Sequence, residues 1–214
     1  MHRSEPMKLT KYEHACVVIE EQGASLVIDP GAFSTSLPDL TGVKAIVVTH
    51  QHADHLDAER LQQLRAANPD APVFTAADVA EAHPELGLAA VEPGQSLTVG
   101  PFSLTFTGGQ HAVIDSSLPR IQNIGVIIND GAVYYPGDSF AEPGRPVQTL
   151  LIPAAAPWMK VSEAMSFLRD VQPELAIPTH DAILSEQGKQ IYDNMLGSAG
   201  VRYQRLQTGE SIGV

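Results

Sequence analysis

This chain of 214 residues has only one cysteine and lacks any long apolar run. One cysteine cannot form an internal disulfide. Cys16 lies in the apolar stretch ACVVI, which predicts a small buried side chain in a reducing compartment. No apolar run approaches the roughly 20 residues that cross a bilayer, and the opening MHRSEPMKLT lacks the pattern of a secretory signal. We therefore expect a cytoplasmic protein with no membrane partner.

Basic residues are also scarce. The 13 Lys and Arg are outnumbered by 25 Asp and Glu, which leaves a formal net charge of −12. Binding to a nucleic-acid backbone depends on many cationic contacts, so this balance argues against a nucleic-acid partner. A small-molecule substrate, including a small anion, fits the composition, and a homo-oligomer remains open.

The order of apolar runs and turn residues predicts an α/β fold in one domain spanning 1–214. Short strand-like runs open the chain, strand-then-helix steps follow, and the same order returns, so the two halves lie near 1–95 and 96–214. Helices are expected over AERLQQLRAA, AADVAEA, VSEAMSFLRDV and a last segment around Glu186 to Leu196. Two face-to-face sheets with helices outside, a four-layer αββα sandwich, accommodate this order.

Histidines and aspartates collect at the ends of the predicted strands. The stretch AIVVTHQHADHLD carries three histidines, and further strand-like runs end in LTFTGGQH, VYYPGDS and LAIPTH. In layered α/β folds the strand ends line one rim, where sites are usually built. A lone histidine after a strand is usually a solvated residue, but the joint pattern favours a metal site. The candidate metal ligands are His50, His52, Asp54, His55, His111, Asp138 and His180.

The spacing suggests two ions. His50 and His52 lie two residues apart in extended backbone and project to one side, whereas Asp54 and His55 follow a turn and can face a second cation. Imidazole and carboxylate ligands without thiolate favour zinc and also accept manganese, iron or nickel. Two divalent ions would generate a bridging hydroxide, and Asp54 is the candidate catalytic residue for moving protons.

The segment from Thr49 to His55 resembles the HxHxDH signature of the metallo-β-lactamase-fold superfamily. His111, the Gly137-Asp138-Ser139 turn and His180 are similar to its later ligand motifs. The resemblance implies that His50, His52 and His111 hold one metal. It further implies that Asp54, His55 and His180 hold a second, with Asp138 bridging. Asp29 in VIDPG would then orient a ligand histidine. The compact chain looks most like the single-domain branch of ascorbate-6-phosphate lactonase-like hydrolases, although Glu13 replaces a glycine that usually precedes the first-strand histidine, His14.

The resulting hypothesis is hydrolysis of a small ester, lactone, amide or phosphoester. His14 is expected on the pocket wall or behind the ligands, and Arg120, Trp158 and Lys160 are further candidates for the pocket wall. The alternatives are an iron-dependent oxidoreductase on the same fold and an RNA or DNA phosphodiesterase. His2 and His83 are expected to be ordinary polar residues.

Overall fold

The computed structural model describes residues 7–214 and consists of two β-sheets with four α-helices. Seven strands form the first sheet: β1 (Lys8–Lys11), β2 (Val17–Glu21), β3 (Ala24–Ile28), β4 (Val43–Val48), β5 (Val73–Thr75), β6 (Ala89–Ala90) and β13 (Ser211–Gly213). Six strands form the second sheet: β7 (Ser96–Val99), β8 (Phe102–Gly108), β9 (Ile124–Ile128), β10 (Val133–Tyr135), β11 (Thr149–Pro153) and β12 (Leu175–Thr179). His2 and the other residues before Met7 lie outside the described range.

The first sheet combines a meander with parallel strands, in the order β13-β1-β2-β3-β4-β5-β6. Strands β1, β2 and β3 pair antiparallel, and β3 to β6 pair parallel. The continuous apolar run of β4 is buried at five of its six positions, which is typical of a central strand covered on both faces. Strand β13 adds antiparallel to β1, so the end of the chain completes a sheet built from its beginning.

The second sheet has the order β12-β11-β10-β9-β8-β7. A 3-10 turn, Asn129–Gly131, joins β9 to β10 as an antiparallel hairpin, a connection that Asn, Asp and Gly favour. Strands β10, β11 and β12 are parallel. The segment from 112 to 122 contains no helix or strand and forms a long, largely exposed loop.

All four expected helices are present, with bounds that match the prediction or differ from it by one residue: α1 (Ala58–Ala67), α2 (Ala77–Ala82), α3 (Val161–Val171) and α4 (Glu186–Gly197). Asp57 caps α1 by accepting a hydrogen bond from the Arg60 amide at 2.8 Å, and Ser185 caps α4 in the same way. Leu61 and Leu64 are the buried positions of α1 and pack into the main core. Within residues 7–214 the structure has no helix of the length and hydropathy that spanning a membrane requires.

Alternate residues of the second sheet face two different cores, as the pleat requires. Tyr135 and Leu151 belong to the large core shared with the first sheet, whereas Tyr134 and Leu150 belong to a smaller core with α3 and α4. Helices therefore cover the outside of packed sheets. This confirms the predicted four-layer αββα sandwich.

Candidate metal centre

Six strands deliver polar side chains to one rim of the sandwich. Strands β1, β3 and β4 run in the same direction in the first sheet, as β8, β10 and β12 do in the second. Strand ends that share a direction lie at one edge of a sheet. The residues just beyond these ends are His14, Asp29, His50, His111, Asp138 and His180.

A first group of potential ligands consists of His50, His52, His111 and Asp138. One ligand atom from each lies within 4.8 Å of the others. His50 Nε2 is 3.0 Å from His52 Nδ1, and His111 Nε2 is 3.4 Å from an Asp138 oxygen. Apart from the half-buried His52, all are buried, so the group is compact and largely shielded from water.

A second group consists of His14, Asp54, His55 and His180, with ligand atoms again within 4.8 Å of one another. Asp54 Oδ2 lies 2.9 Å from His14 Nε2 and 3.3 Å from His180 Nε2. Asp138 reaches this group too, because its oxygens are 3.2 Å from His55 Nε2 and 3.1 Å from His180 Nε2. Asp138 therefore stands between the two groups, the position that the sequence resemblance implies.

Several atoms at the centre have no hydrogen-bond partner although they are buried. These are Nε2 of His55, His111 and His180, and Oδ1 of Asp138. In each of the three histidines the opposite nitrogen is engaged: Nδ1 lies 2.6 Å from Asp29 Oδ2, from the Ala112 carbonyl or from the Ala155 carbonyl, respectively. With the proton on Nδ1, the Nε2 lone pair is free to coordinate. Unpartnered buried donors of this chemistry fit divalent metal ions.

Asp29 fixes one of these rings as expected from its sequence position. Its Oδ2 lies 2.6 Å from His55 Nδ1 and accepts a 2.7 Å hydrogen bond from the Thr49 hydroxyl, while its Oδ1 accepts from the Thr49 amide. The carboxylate is fully buried. Partners of this kind orient metal-binding histidines and fix their tautomer.

The loop before Asp138 is held equally closely. Asn123 Oδ1 accepts a 2.9 Å hydrogen bond from the Asp138 amide, and its side-chain amide donates to the Pro136 carbonyl. Gly137 has φ +64, and a Cβ there would lie 2.4 Å from Asn123 Oδ1 and 2.8 Å from the Thr49 side chain. Only glycine fits this turn, which brings Asp138 to the middle of the centre.

Electrostatics keep the two carboxylates charged. Burial raises the pKa of Asp138, but the nearby His55, His111 and His180 imidazoles outweigh it and hold that pKa well below its usual range. Burial likewise raises the pKa of Asp54, and the hydrogen bond with His14 and the nearby His180 imidazole lower it well below its ordinary value. Burial lowers the pKa of His180, but its contacts with Asp138 and Asp54 raise it to about 9, so a metal ion at Nε2 would have to displace a proton. The centre is thus anionic oxygen surrounded by imidazole, an arrangement that attracts cations.

The structure brings all seven predicted ligands together, although their coordination of a metal stays a prediction. His14 joins the second group: its Nε2 lies 2.9 Å from Asp54 Oδ2, which fits the expected place behind a candidate ligand. Trp158 also reaches the centre: its indole Nε1 donates to Asp138 Oδ2 at 2.9 Å. No local pattern signals that contact.

Arg120 and Lys160 differ in their relation to the site. Arg120 is exposed and donates from Nε to the His111 carbonyl at 2.6 Å, beside a small cavity that His52 and His111 also line. Lys160 is exposed at the start of α3, where its amide donates to Glu163 at 2.6 Å. The structure therefore gives Lys160 a helix-capping position and no contact with the candidate ligands.

A sandwich of this topology, with six imidazoles and two carboxylates at one rim, defines a metallo-hydrolase of the metallo-β-lactamase fold. The chain belongs to the Beta-lactamase superfamily domain family, whose model matches residues 8–180. The family predicted from HxHxDH is therefore confirmed.

Known proteins similar to this chain agree with that placement. It is 40% identical to Protein Rv0786c of Mycobacterium tuberculosis, over 87% of this chain and 89% of that protein. It is 31% identical to UPF0173 metal-dependent hydrolase MJ1163 of Methanocaldococcus jannaschii, over 80% of this chain and 83% of that protein. The fold matches the metallo-beta-lactamase fold protein YhfI from Bacillus subtilis with a TM-score of 0.76 and 18% identity, covering 97% and 98% of the two chains.

Proposed function

We propose that this protein is a metal-dependent hydrolase with a dinuclear centre that cleaves a small ester, lactone, amide or phosphoester. The observation that carries the proposal is the pair of four-residue groups that meet at Asp138, with three buried Nε2 atoms lacking any hydrogen-bond partner. The name of the Methanocaldococcus jannaschii relative, a metal-dependent hydrolase, agrees with it.

The residues present divide into two ligand sets. His50, His52 and His111 would hold one ion, Asp54, His55 and His180 the other, and Asp138 would contact both. Two divalent ions, with zinc favoured by the nitrogen and oxygen donors, would polarise the substrate's carbonyl or phosphoryl oxygen and make water nucleophilic at neutral pH.

The protein's own groups supply orientation and proton handling. Asp138 is nearly fully buried and is fixed by Trp158 and Asn123, so it suits a stationary ligand. The Asp54 side chain is 22% exposed, which leaves this carboxylate accessible to solvent. Because its pKa is held low, Asp54 is ionised at neutral pH and can accept a hydrogen bond from the attacking water, which directs the water's proton toward solvent. His14, hydrogen-bonded to Asp54, holds that carboxylate in place.

The test combines metal content with activity. We expect freshly purified protein to carry two metal ions per chain, as measured by elemental mass spectrometry. After loading with zinc, manganese or iron, it should hydrolyse members of an ester, lactone, amide and phosphodiester panel. His111→Ala and Asp138→Ala should lose metal and lower kcat by at least about a thousandfold. His83→Ala is the matched control, since His83 caps α2 away from the centre.

Unchanged metal content and unchanged hydrolysis in His111→Ala and Asp138→Ala would reject the proposal. One ion per chain would reject the dinuclear form, and oxygen consumption with iron in place of hydrolysis would indicate an oxidoreductase.

A further inference from the structure

Large exposed apolar side chains concentrate around the candidate metal centre. Among residues 7–214, five of the seven large hydrophobic side chains that remain exposed come from segments next to the ligands; they are Phe33, Val113, Ile114, Leu118 and Ile183. The other two, Ile191 and Met195, lie on α4. Single exposed apolar residues are ordinary, but a cluster around a site indicates what the site binds. We refer to the five residues as the apolar rim.

Each part of the apolar rim is tied to a ligand. The Phe33 ring packs edge-on against the His14 ring, with centroids 5.0 Å apart. Val113, Ile114 and Leu118 line a cavity together with His52 and His111. Ile183 follows His180 by three positions, in a segment whose Ala182 amide donates to His14 Nδ1 at 3.3 Å. Both ligand groups are therefore bordered by apolar surface.

In the described part of the chain, few free positive charges border this surface. Lys11 is buried and pairs with Asp181 at 3.1 Å, and Arg205 pairs with both Asp181 and Asp193. Arg120 is the one Lys or Arg of residues 7–214 that lines the cavity of Val113, Ile114 and Leu118; its Nε donates to the His111 carbonyl, and Asp115 lines the same cavity with the opposite charge. A strongly anionic substrate group would therefore gain little from this surface, whereas a neutral group needs no cation there.

From this arrangement we propose that the substrate is a neutral carboxylic ester or amide whose acyl group carries a linear apolar chain, seated on the apolar rim. The inference rests on the proposed hydrolase function, and it excludes short polar and phosphorylated molecules from the substrate class. The scissile carbonyl lies at the metal centre, and the chain covers Leu118 and its neighbours. A membrane surface is the weaker occupant, because the net charge of −12 repels anionic lipid headgroups.

The experiment compares kcat/KM for p-nitrophenyl acetate, butyrate, hexanoate and octanoate, with p-nitrophenyl phosphate as the short anionic comparator. Each methylene that leaves water on the rim should raise kcat/KM by about two- to fourfold. Leu118→Ser and Val113→Ser should each lower the octanoate-to-acetate ratio by about fivefold. Ile191→Ser is the matched control, because Ile191 is equally exposed (57%, against 53% for Leu118) but lies on α4.

A second readout does not depend on turnover. The neutral fluorophore N-phenyl-1-naphthylamine should bind the wild-type protein and Ile191→Ser with equal affinity, and Leu118→Ser about fivefold more weakly. Far-UV circular dichroism of each variant confirms that it is folded.

The outcomes separate the two proposals. Hydrolysis that is flat or falls with chain length, or that favours the phosphate, overturns the rim inference while the hydrolase function stands. If neither this series nor the broader ester, lactone, amide and phosphodiester panel is hydrolysed, the proposed function fails, and the fluorophore comparison still decides whether the rim binds apolar chains. Binding to phosphatidylcholine vesicles that depends on Leu118, with a flat chain-length series, overturns the inference in favour of a membrane surface.

Discussion

Replacing Asp29 with asparagine tests whether Asp29, which contacts His55 Nδ1, fixes the tautomer of His55 and thereby its affinity for a metal ion. The wild-type Asp29 carboxylate is fully buried. Its Oδ2 accepts hydrogen bonds from the Thr49 hydroxyl at 2.7 Å and from His55 Nδ1 at 2.6 Å. At Oδ1 it accepts from the Thr49 amide at 2.7 Å. An asparagine oxygen can keep the Oδ1 contact, but its amino group replaces Oδ2 and cannot accept.

The consequence falls on the His55 tautomer. An amino group facing Nδ1 favours the ring form with its proton on Nε2, the atom that would coordinate the metal. Losing a hydrogen bond to a charged partner costs about 1.5–3 kcal/mol, and losing such a support typically weakens metal binding 10- to 100-fold. We therefore expect Asp29→Asn to weaken one of two Zn²⁺ binding steps by about that factor and to leave the other unchanged.

Competition titration against a chelator measures both steps, and ¹⁵N NMR of the imidazoles reports the tautomer. Asp57→Asn is the matched control, because asparagine caps a helix as well as aspartate does and Asp57 accepts only the Arg60 amide. Wild-type affinity in Asp29→Asn, together with a proton still on Nδ1 of His55, would refute the reasoning.

Three further changes probe other contacts. Trp158→Phe removes the indole donor to Asp138 and should lower kcat by about tenfold; an unchanged kcat in steady-state assays would show that this hydrogen bond does not contribute to catalysis. Asp181→Ala leaves the buried Lys11 without its partner at 3.1 Å and should cost about 3–5 kcal/mol of the free energy of unfolding in urea; a loss below about 1 kcal/mol would contradict this. Burial raises the pKa of the Cys16 thiol from 9.0 to about 12, so iodoacetamide at pH 9 should modify native protein about a thousandfold more slowly than unfolded protein. Because the unfolded thiol loses its proton first, Cys16 should also make the protein less stable as pH rises above 9, and Cys16→Ala should flatten that decline.

Local patterns predicted those parts of the fold that depend on neighbouring residues. The strand-like run AIVVT and the four expected helices depend on residues within a few positions of each other, and the structure has a strand and helices in these places. The candidate ligands at strand ends could also be predicted from the sequence, because strands that run in the same direction end at one edge of a sheet.

Contacts between segments that are distant in the sequence could not be predicted from local patterns. Strand β13 is three residues long and is a strand only because β1 offers it an edge. Strand β6 contains just Ala89 and Ala90, both exposed, with no apolar alternation to mark it. The Trp158 indole reaches Asp138, 20 residues earlier in the chain, only because the fold brings their two segments together. In each case the determining partner is absent from the local sequence.

Backbone conformation contributes to the shape of the candidate metal centre. His14, Asp29 and His180 have φ values of 59, 48 and 56, in the left-handed region that costs a non-glycine residue about 1–2 kcal/mol. Glycine would remove that strain but would supply no imidazole or carboxylate. The His180 amide donates to the His14 carbonyl at 2.9 Å, so two of these strained turns, one from each sheet, support each other. The fold therefore gives up stability at the rim to aim side chains from both sheets at one point.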